Sequence, residues 1–231
     1  MLRTNLATRT VPFRYEPLEQ YELNTCYING KRHYQVGTDL FPSVTTVLSS
    51  IEKPGLEEWK KRVGAEEANK IMNQATRRGT AAHKLWEDYL KNYPNFSSGA
   101  IPTTIQLFKQ LQPWLDRNID FLYGNEIALF SRTLKTAGRC DAVGSVNNRP
   151  AIIDFKTSSK KKNEEWIENY FLQVACYAIM FEEMYGIVVE DAYILIAVEE
   201  DRPQSFPIKT VKYKDKVRDI FADYHKRVAL N

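Results

Sequence analysis

An α/β fold, with a mixed β-sheet flanked by helices, is predicted for this 231-residue chain by three stretches of its sequence. Thr136 to Thr157 reads as two apolar strands joined at Asn147-Asn148, residues that tolerate the positive φ angles of a tight hairpin turn. From Glu164 to Tyr185 a helical period sets Trp166, Tyr170, Gln173, Tyr177, Phe181 and Met184 on one stripe, with further apolar residues around it, so this helix must pack against the sheet. Ala192 to Val198 is a buried strand by composition. The expected organisation is an arm and β-hairpin over 1–40 and a single domain over 41–231, mainly helical at 41–124 and α/β at 125–231.

The remaining elements follow in order. Residues 1–20 carry no period and are expected to form an extended arm. Asn29-Gly30, between residues of high strand propensity, marks a hairpin that contains His33. Ser43 is placed to cap a helix starting in Phe41–Leu48. A helix is expected from Leu56 to about Gln74, interrupted at Arg77-Arg78-Gly79-Thr80, and a second from Ala81 to Leu90, capped by Thr80. Residues 92–103 are loop-like, and Thr104–Leu122 is helical with Pro113 kinking or splitting it. A strand is expected at Glu126–Phe130. Asp201-Arg-Pro is a turn, Phe206–Val211 an edge strand, and Tyr213–Val228 a closing amphipathic helix.

Composition sets bounds on function. With 43% hydrophobic and 26% charged residues the chain reads as globular rather than disordered. A net charge of +3 announces no nucleic-acid binder by itself, so such a reading must rest on where the charges lie. Cys26, Cys140 and Cys176 are widely spaced and odd in number, which indicates neither a disulfide framework nor a four-cysteine cluster, and fits a reducing compartment. No apolar run approaches a membrane span, and no secretory signal opens the chain. A cytoplasmic location is expected. Arg3, Arg9 and Arg14, with no acid among residues 2–15, give a mitochondrial transit segment as the minority reading, against which Pro12 and the lack of amphipathicity argue.

The 136–157 hairpin carries the chemistry. If its turn is centred on Asn147-Asn148 without a bulge, residues whose numbers sum to 295 lie opposite, so Asp141 faces Asp154 with Cβ atoms about 5 Å apart. Lys156 leaves the sheet on the same face as Asp154. Like charges directly opposed on half-buried strands repel, and a divalent cation with hard oxygen ligands, Mg²⁺ or Mn²⁺, resolves the repulsion. Lys156 beside it is placed to orient a water or to neutralise charge growing on a phosphate. The bland alternative is a hairpin on which Lys156 simply pairs with one acid. Lys160-Lys161-Lys162 follows in a polar loop, suited either to solvation or to phosphate contact. Gln173 and Tyr177 share a face of the long helix. His83, taken alone, reads as a helix-surface histidine.

The series His83, Gly138-x-x-Asp141, Ile152-Ile-Asp154-Phe-Lys156-Thr157 and Gln173-x-x-x-Tyr177 resembles the RecB-like branch of the PD-(D/E)xK nucleases. Pro42-Ser-Val-Thr45-x-Val-Leu48, Trp59-Lys60 and Arg78-Gly-x-x-x-His83 make it most similar to the mitochondrial genome maintenance exonuclease group. The resemblance spans roughly residues 41–200. It implies a restriction-endonuclease-like sheet core with the N-terminal helices roofing the active site, and metal-dependent hydrolysis of DNA at a strand end. It further implies Asp141, Asp154 and Lys156 as catalytic, with His83, Asp141, Asp154 and the Phe155 carbonyl holding Mg²⁺ or Mn²⁺. Gln173 and Tyr177 match a substrate-positioning motif, and Glu126 is an outer-shell candidate. Arg77, Arg78 and Lys84, with Lys160, Lys161 and Lys162, are candidates for holding the DNA backbone.

Too few cysteines are present for the iron–sulfur cluster of several relatives, and no phosphate-loop motif marks a helicase, so any motor or polymerase would be a separate partner. The expected protein is a monomeric exonuclease of single-stranded DNA ends, acting in replication, repair or recombination without a membrane. A structure-specific endonuclease or resolvase is the enzymatic alternative. A catalytically silent DNA-binding subunit is the other.

Overall fold

The computed structural model describes residues 11–51 and 54–230. Its smaller sheet is antiparallel: β1 (Asn24–Ile28), β2 (Lys31–Val36) and β3 (Asp39–Pro42), in that order. The larger holds β4 (Ile119–Ser131), β5 (Thr136–Val146), β6 (Arg149–Ser158), β7 (Asp191–Val198) and β8 (Gln204–Lys209), again in sequence order. Only β6 and β7 run parallel, as a strand–helix–strand crossover requires. The helices are α1 (Val44–Ser49), α2 (Pro54–Val63), α3 (Ala65–Leu90), α4 (Pro102–Asn118), α5 (Glu168–Tyr185) and α6 (Val211–Ala229). Among the described residues no helix is long and apolar enough to cross a membrane.

Apolar residues on both faces of the five-stranded sheet explain the layering. On one face Val143, Ile152, Ile194 and Ile196 pack with Val44 and Val47 of α1, Phe181 of α5 and Phe221 of α6. On the other, Ala142, Ile153, Phe155 and Leu195 meet Leu85 and Trp86 of α3 and Phe108 and Leu111 of α4. The small sheet packs through Tyr34, Val36 and Phe41 on Ala128 and Ala137. The mixed sheet and its flanking helices have the predicted architecture.

Both predicted hairpins form, and their turns show why: Asn29 and Gly30 have φ of 50° and 73°, Asn147 and Asn148 of 52° and 62°. Ser43 caps α1 by accepting the Thr46 amide at 3.0 Å. Val143↔Ile152 and Ala142↔Ile153 obey the predicted register.

Several elements differ from expectation. The helix break lies at Gly64, with φ of 87°, not at 77–80, and Gly79 sits inside a continuous α3 where Thr80 caps nothing. Gly79 keeps helical φ, and a mid-helix glycine costs only about 1 kcal/mol, which packing overrides. Pro113 does not split α4, which stops at Asn118. The next strand starts at Ile119 rather than Glu126, with register shifts between Ile119 and Phe121 and between Leu122 and Gly124. Short β3 was not foreseen. A 3-10 turn at Glu164–Trp166 precedes α5, leaving Trp166 exposed. The first half of the expected arm, with Arg3 and Arg9, lies outside the described residues. Its second half is pinned: Phe13 is buried and exchanges two hydrogen bonds with the Asn92 side chain, at 2.7 and 3.0 Å, while Tyr15 bridges Leu122.

Candidate active site

The predicted acids and lysine converge where the central hairpin comes apart. The β5–β6 ladder ends at Ala142↔Ile153, one pair short of the Asp141–Asp154 opposition expected from the turn. Face alternation explains this. Cys140 and Val143, three apart, lie in the same hydrophobic cluster, so the face alternation of β5 breaks between them, although its register with β4 is the same on either side, Ile127↔Cys140 and Asn125↔Ala142. There the Cys140 thiol contacts the Ala142 carbonyl at 3.5 Å. Freed from the ladder, Asp141 accepts the Phe155 amide on Oδ2 at 2.7 Å, so its side chain caps the strand it has left.

Opposite Asp141 stands Glu126, between the pairs Asn125↔Ala142 and Ile127↔Cys140. Its φ is 52°, a left-handed backbone that glutamate adopts at a cost, and such outliers persist only where surrounding structure enforces them. His83 descends from α3, packed edge-on against Trp86 and Phe155, with Nδ1 3.6 Å from Asp141 Oδ1. Ligand atoms of His83, Glu126 and Asp141 all lie within 4.8 Å of one another.

Asp154 and Lys156 approach from the α5 side. The Asp154 carboxylate is 1% exposed, forms an ion pair with the Lys156 ammonium, and accepts no hydrogen bond of good geometry on either oxygen. Lys156 lies 5.1 Å from the centre of the Tyr170 ring. Gln173 Nε2 donates to the Tyr177 hydroxyl at 3.5 Å, so the two polar tips meet each other rather than backbone.

The electrostatics follow from burial among charges. Burial raises Glu126 to about 7, reinforced by Asp141 and Glu87. Burial raises Asp154 to about 6, against the pull of Lys156 and with the push of Asp141. Burial also acts to raise Asp141, but His83, Lys156 and the Phe155 amide outweigh it and hold the group below the usual carboxylate range. Burial disfavours the charged forms of His83 and Lys156, yet neighbouring carboxylates raise both. A clustered imidazole and two carboxylates, with the buried Asp154 carboxylate near by and its Oδ1 unpartnered, form a mainly oxygen donor set that fits a divalent cation such as Mg²⁺ or Mn²⁺. The tightest cluster is His83, Glu126 and Asp141, so Glu126 stands nearer the centre than an outer-shell place implies.

The other predicted residues lie around this core. Arg78 is tied to Glu199 at 2.7 Å, Lys84 to Asp88 at 2.9 Å, and Lys161 to Asp201 at 3.0 Å. Arg77 and Lys160 are exposed, and the Lys162 backbone pairs with the Gln204 side chain. Arg139 was not foreseen. Exposed, two residues before Asp141, it reaches the Glu126 carbonyl with Nη1 at 3.5 Å. Its place inside Gly138-x-x-Asp141 was the signal available.

Residues 59–229 match the profile of the PD-(D/E)XK nuclease superfamily, and the chain belongs to that superfamily. Among individual proteins it is similar to mouse mitochondrial genome maintenance exonuclease 1, at 27% identity over 175 residues, covering 70% of this chain and 51% of the relative. The chain thus spans about half the length of that protein. A crystal structure of a putative exonuclease from Eubacterium rectale is also similar, with a TM-score of 0.47 and 14% identity over 67% of this chain and 66% of the other.

Proposed function

We propose that this protein is a divalent-metal-dependent nuclease that hydrolyses DNA phosphodiesters at single-stranded ends, in replication, repair or recombination. The observation carrying this reading is the convergence of Asp141, Asp154, Glu126, His83 and Lys156 at the open end of one hairpin, in a chain of the nuclease superfamily. The end preference rests on the similarity to a named exonuclease and on α3, which carries His83 across the acids.

In this reading His83, Glu126, Asp141 and Asp154 hold the cation. When bound, it supplies Lewis-acid charge to a phosphoryl oxygen and acidifies a water. Lys156 keeps its proton because Asp154 and Asp141 raise its pKa, so it serves as a fixed positive charge rather than as a base. It neutralises charge developing on the phosphate and hydrogen-bonds the attacking water. Gln173 and Tyr177 orient the strand from α5, and Phe155 and Trp86 close the apolar wall behind His83. End-labelled linear single strands and a single-stranded circle, incubated with Mg²⁺, Mn²⁺ or EDTA, provide the test. Shortening of the linear strand with metal and survival of the circle are expected. Cleavage of the circle would indicate an endonuclease, and no cleavage of either would favour the silent binding subunit.

A further inference from the structure

The small sheet and Arg139 have no part in the chemistry above, yet the fold brings them together beside it. Arg139 pairs with Ala128 across β4 and β5 and lies two residues from Ala137, so its side chain leaves the sheet on the face against which the small sheet packs. Arg32 shares its face of β2 with Tyr34 and Val36, which make that packing, and its guanidinium lies 5.6 Å from the centre of the Tyr34 ring. The backbone stitches the two regions. Ser43 donates its amide to the Arg32 carbonyl at 3.0 Å and bridges Ala137, two residues from Arg139, a step of about 7 Å along a strand.

Both guanidinium groups are exposed, and their bonds spend little of their charge. Arg32 Nη2 donates to the Thr45 hydroxyl at 2.9 Å, and Arg139 to a backbone carbonyl. Neither forms a close ion pair among the described residues, Arg139 meeting the Glu126 carboxylate only at longer range, whereas Arg132 pairs with Asp39 and Arg149 with Glu190 and Asp191. Two exposed guanidinium groups outside any ion pair, beside a cluster of acids, make a binding surface for a polyanion, because each fork matches phosphate oxygens.

We propose that Arg139 and Arg32 form a phosphate-binding track, leading from the acid cluster onto the small sheet, that holds the nucleic-acid strand next to the bond being cut. This rests on the nuclease reading and gives the N-terminal sheet a substrate-binding role. Recognition is of the backbone alone, without base readout. Thr45 fixes the Arg32 fork, and the Tyr34 ring supports its plane.

The test is fluorescence anisotropy of a labelled oligothymidine in EDTA, titrated at several salt concentrations with wild-type protein, Arg139→Gln, Arg139→Lys, Arg32→Gln/Arg139→Gln, and Arg218→Gln on α6 as control. For single strands, each phosphate contact contributes about 0.7 to the slope of log K against log salt. Arg139→Gln should weaken binding several-fold and flatten the slope by about 0.7, and the double variant by about 1.4. Arg139→Lys should keep the slope, and Arg218→Gln should change nothing. Unchanged affinity and slope in both glutamine variants, with wild type binding the strand and cleaving it when metal is added, would overturn the track alone. A wild-type protein that binds no single strand would overturn the track together with the nuclease reading. Matching thermal melts are required of all variants, and the Arg139 pair carries the test if Arg32→Gln disturbs the Thr45 contact.

Discussion

Asp141 Oδ2 takes the amide hydrogen of Phe155 at 2.7 Å, the contact by which a strand that has left its ladder still holds its neighbour. Two tasks therefore fall on one carboxylate, a structural one and one of charge. Asp141→Asn keeps an acceptor oxygen and loses the charge, whereas Asp141→Ala loses both. The asparagine variant should melt close to wild type yet cleave at least about 100-fold more slowly, as for removal of a charge-stabilising group. The alanine variant should be equally slow and also less stable by about 1–3 kcal/mol, the penalty for an orphaned buried amide. Equal melting points for the two would show that the bond to Phe155 contributes nothing to the fold.

Glu126 and Asp154 set the pH response. Burial first, then neighbouring acids, moves Glu126 from 4.5 to about 7; burial, partly offset by Lys156, moves Asp154 from 3.8 to about 6. Both groups bind protons more tightly folded than unfolded, so the metal-free protein should lose stability as pH rises from about 4 through about 7. A bound cation offsets the cost of these ionised carboxylates, and protons compete with it. The rise in Tm produced by Mn²⁺ should therefore be larger near pH 8 than near pH 5.5 by calorimetry, and Glu126→Gln should shrink the difference. A metal effect independent of pH would contradict this assignment.

The Asp154–Lys156 pair is buried with 1% and 18% of its side chains exposed, so removing one partner strands the other. Lys156→Met should destabilise the fold by about 3–5 kcal/mol in urea titration and abolish cleavage. Adding Asp154→Asn should recover most of the stability and none of the activity. Recovery of activity in the double variant would remove both residues from the chemistry.

Gly138 controls where Tyr177 sits. A Cβ there would lie 3.1 Å from Tyr177 Cε1, 3.3 Å from its hydroxyl and 3.3 Å from Val44 Cγ2, tight enough to push the ring aside by a few tenths of an ångström. Gly138→Ala should cost stability little but reduce cleavage up to about 100-fold, the scale set by small misplacements of positioning groups. Unaltered kcat and KM would show that the Tyr177 position is not critical.

What the sequence disclosed and what it hid divide along physical lines. The turn Asn147-Asn148 announced itself because few residues accept positive φ, and the register of Val143 and Ile152 followed by counting. Counting failed at Asp141 because the face alternation of β5 breaks between Cys140 and Val143, opposite the left-handed backbone of Glu126 on β4, and no local pattern records either. Gly64 and Gly79 are the same residue, but Gly64 is exposed with φ of 87° and ends a helix, whereas Gly79 is half-buried against Thr157 inside α3, a difference the residue type alone does not carry. The pairing of Lys84 with Asp88 was readable from their spacing, but that of Arg78 with Glu199, 121 positions away, was not. The Glu126 backbone strain likewise belongs to the assembled sheet.

The longest helix is supported unevenly. Of α3, the segment from Ala82 to Leu90 buries Ala82, Leu85, Trp86, Tyr89 and Leu90, and Asn92 just beyond it is held by Phe13. Between Ala65 and Ala81 only Ala68 is buried. At 1.5 Å per residue the sparsely packed portion is roughly 25 Å long, a beam built in at one end. Its amides should exchange with deuterium far sooner than those around Trp86, and His83 stands at the root of the beam, where bending of the outer turns displaces it least.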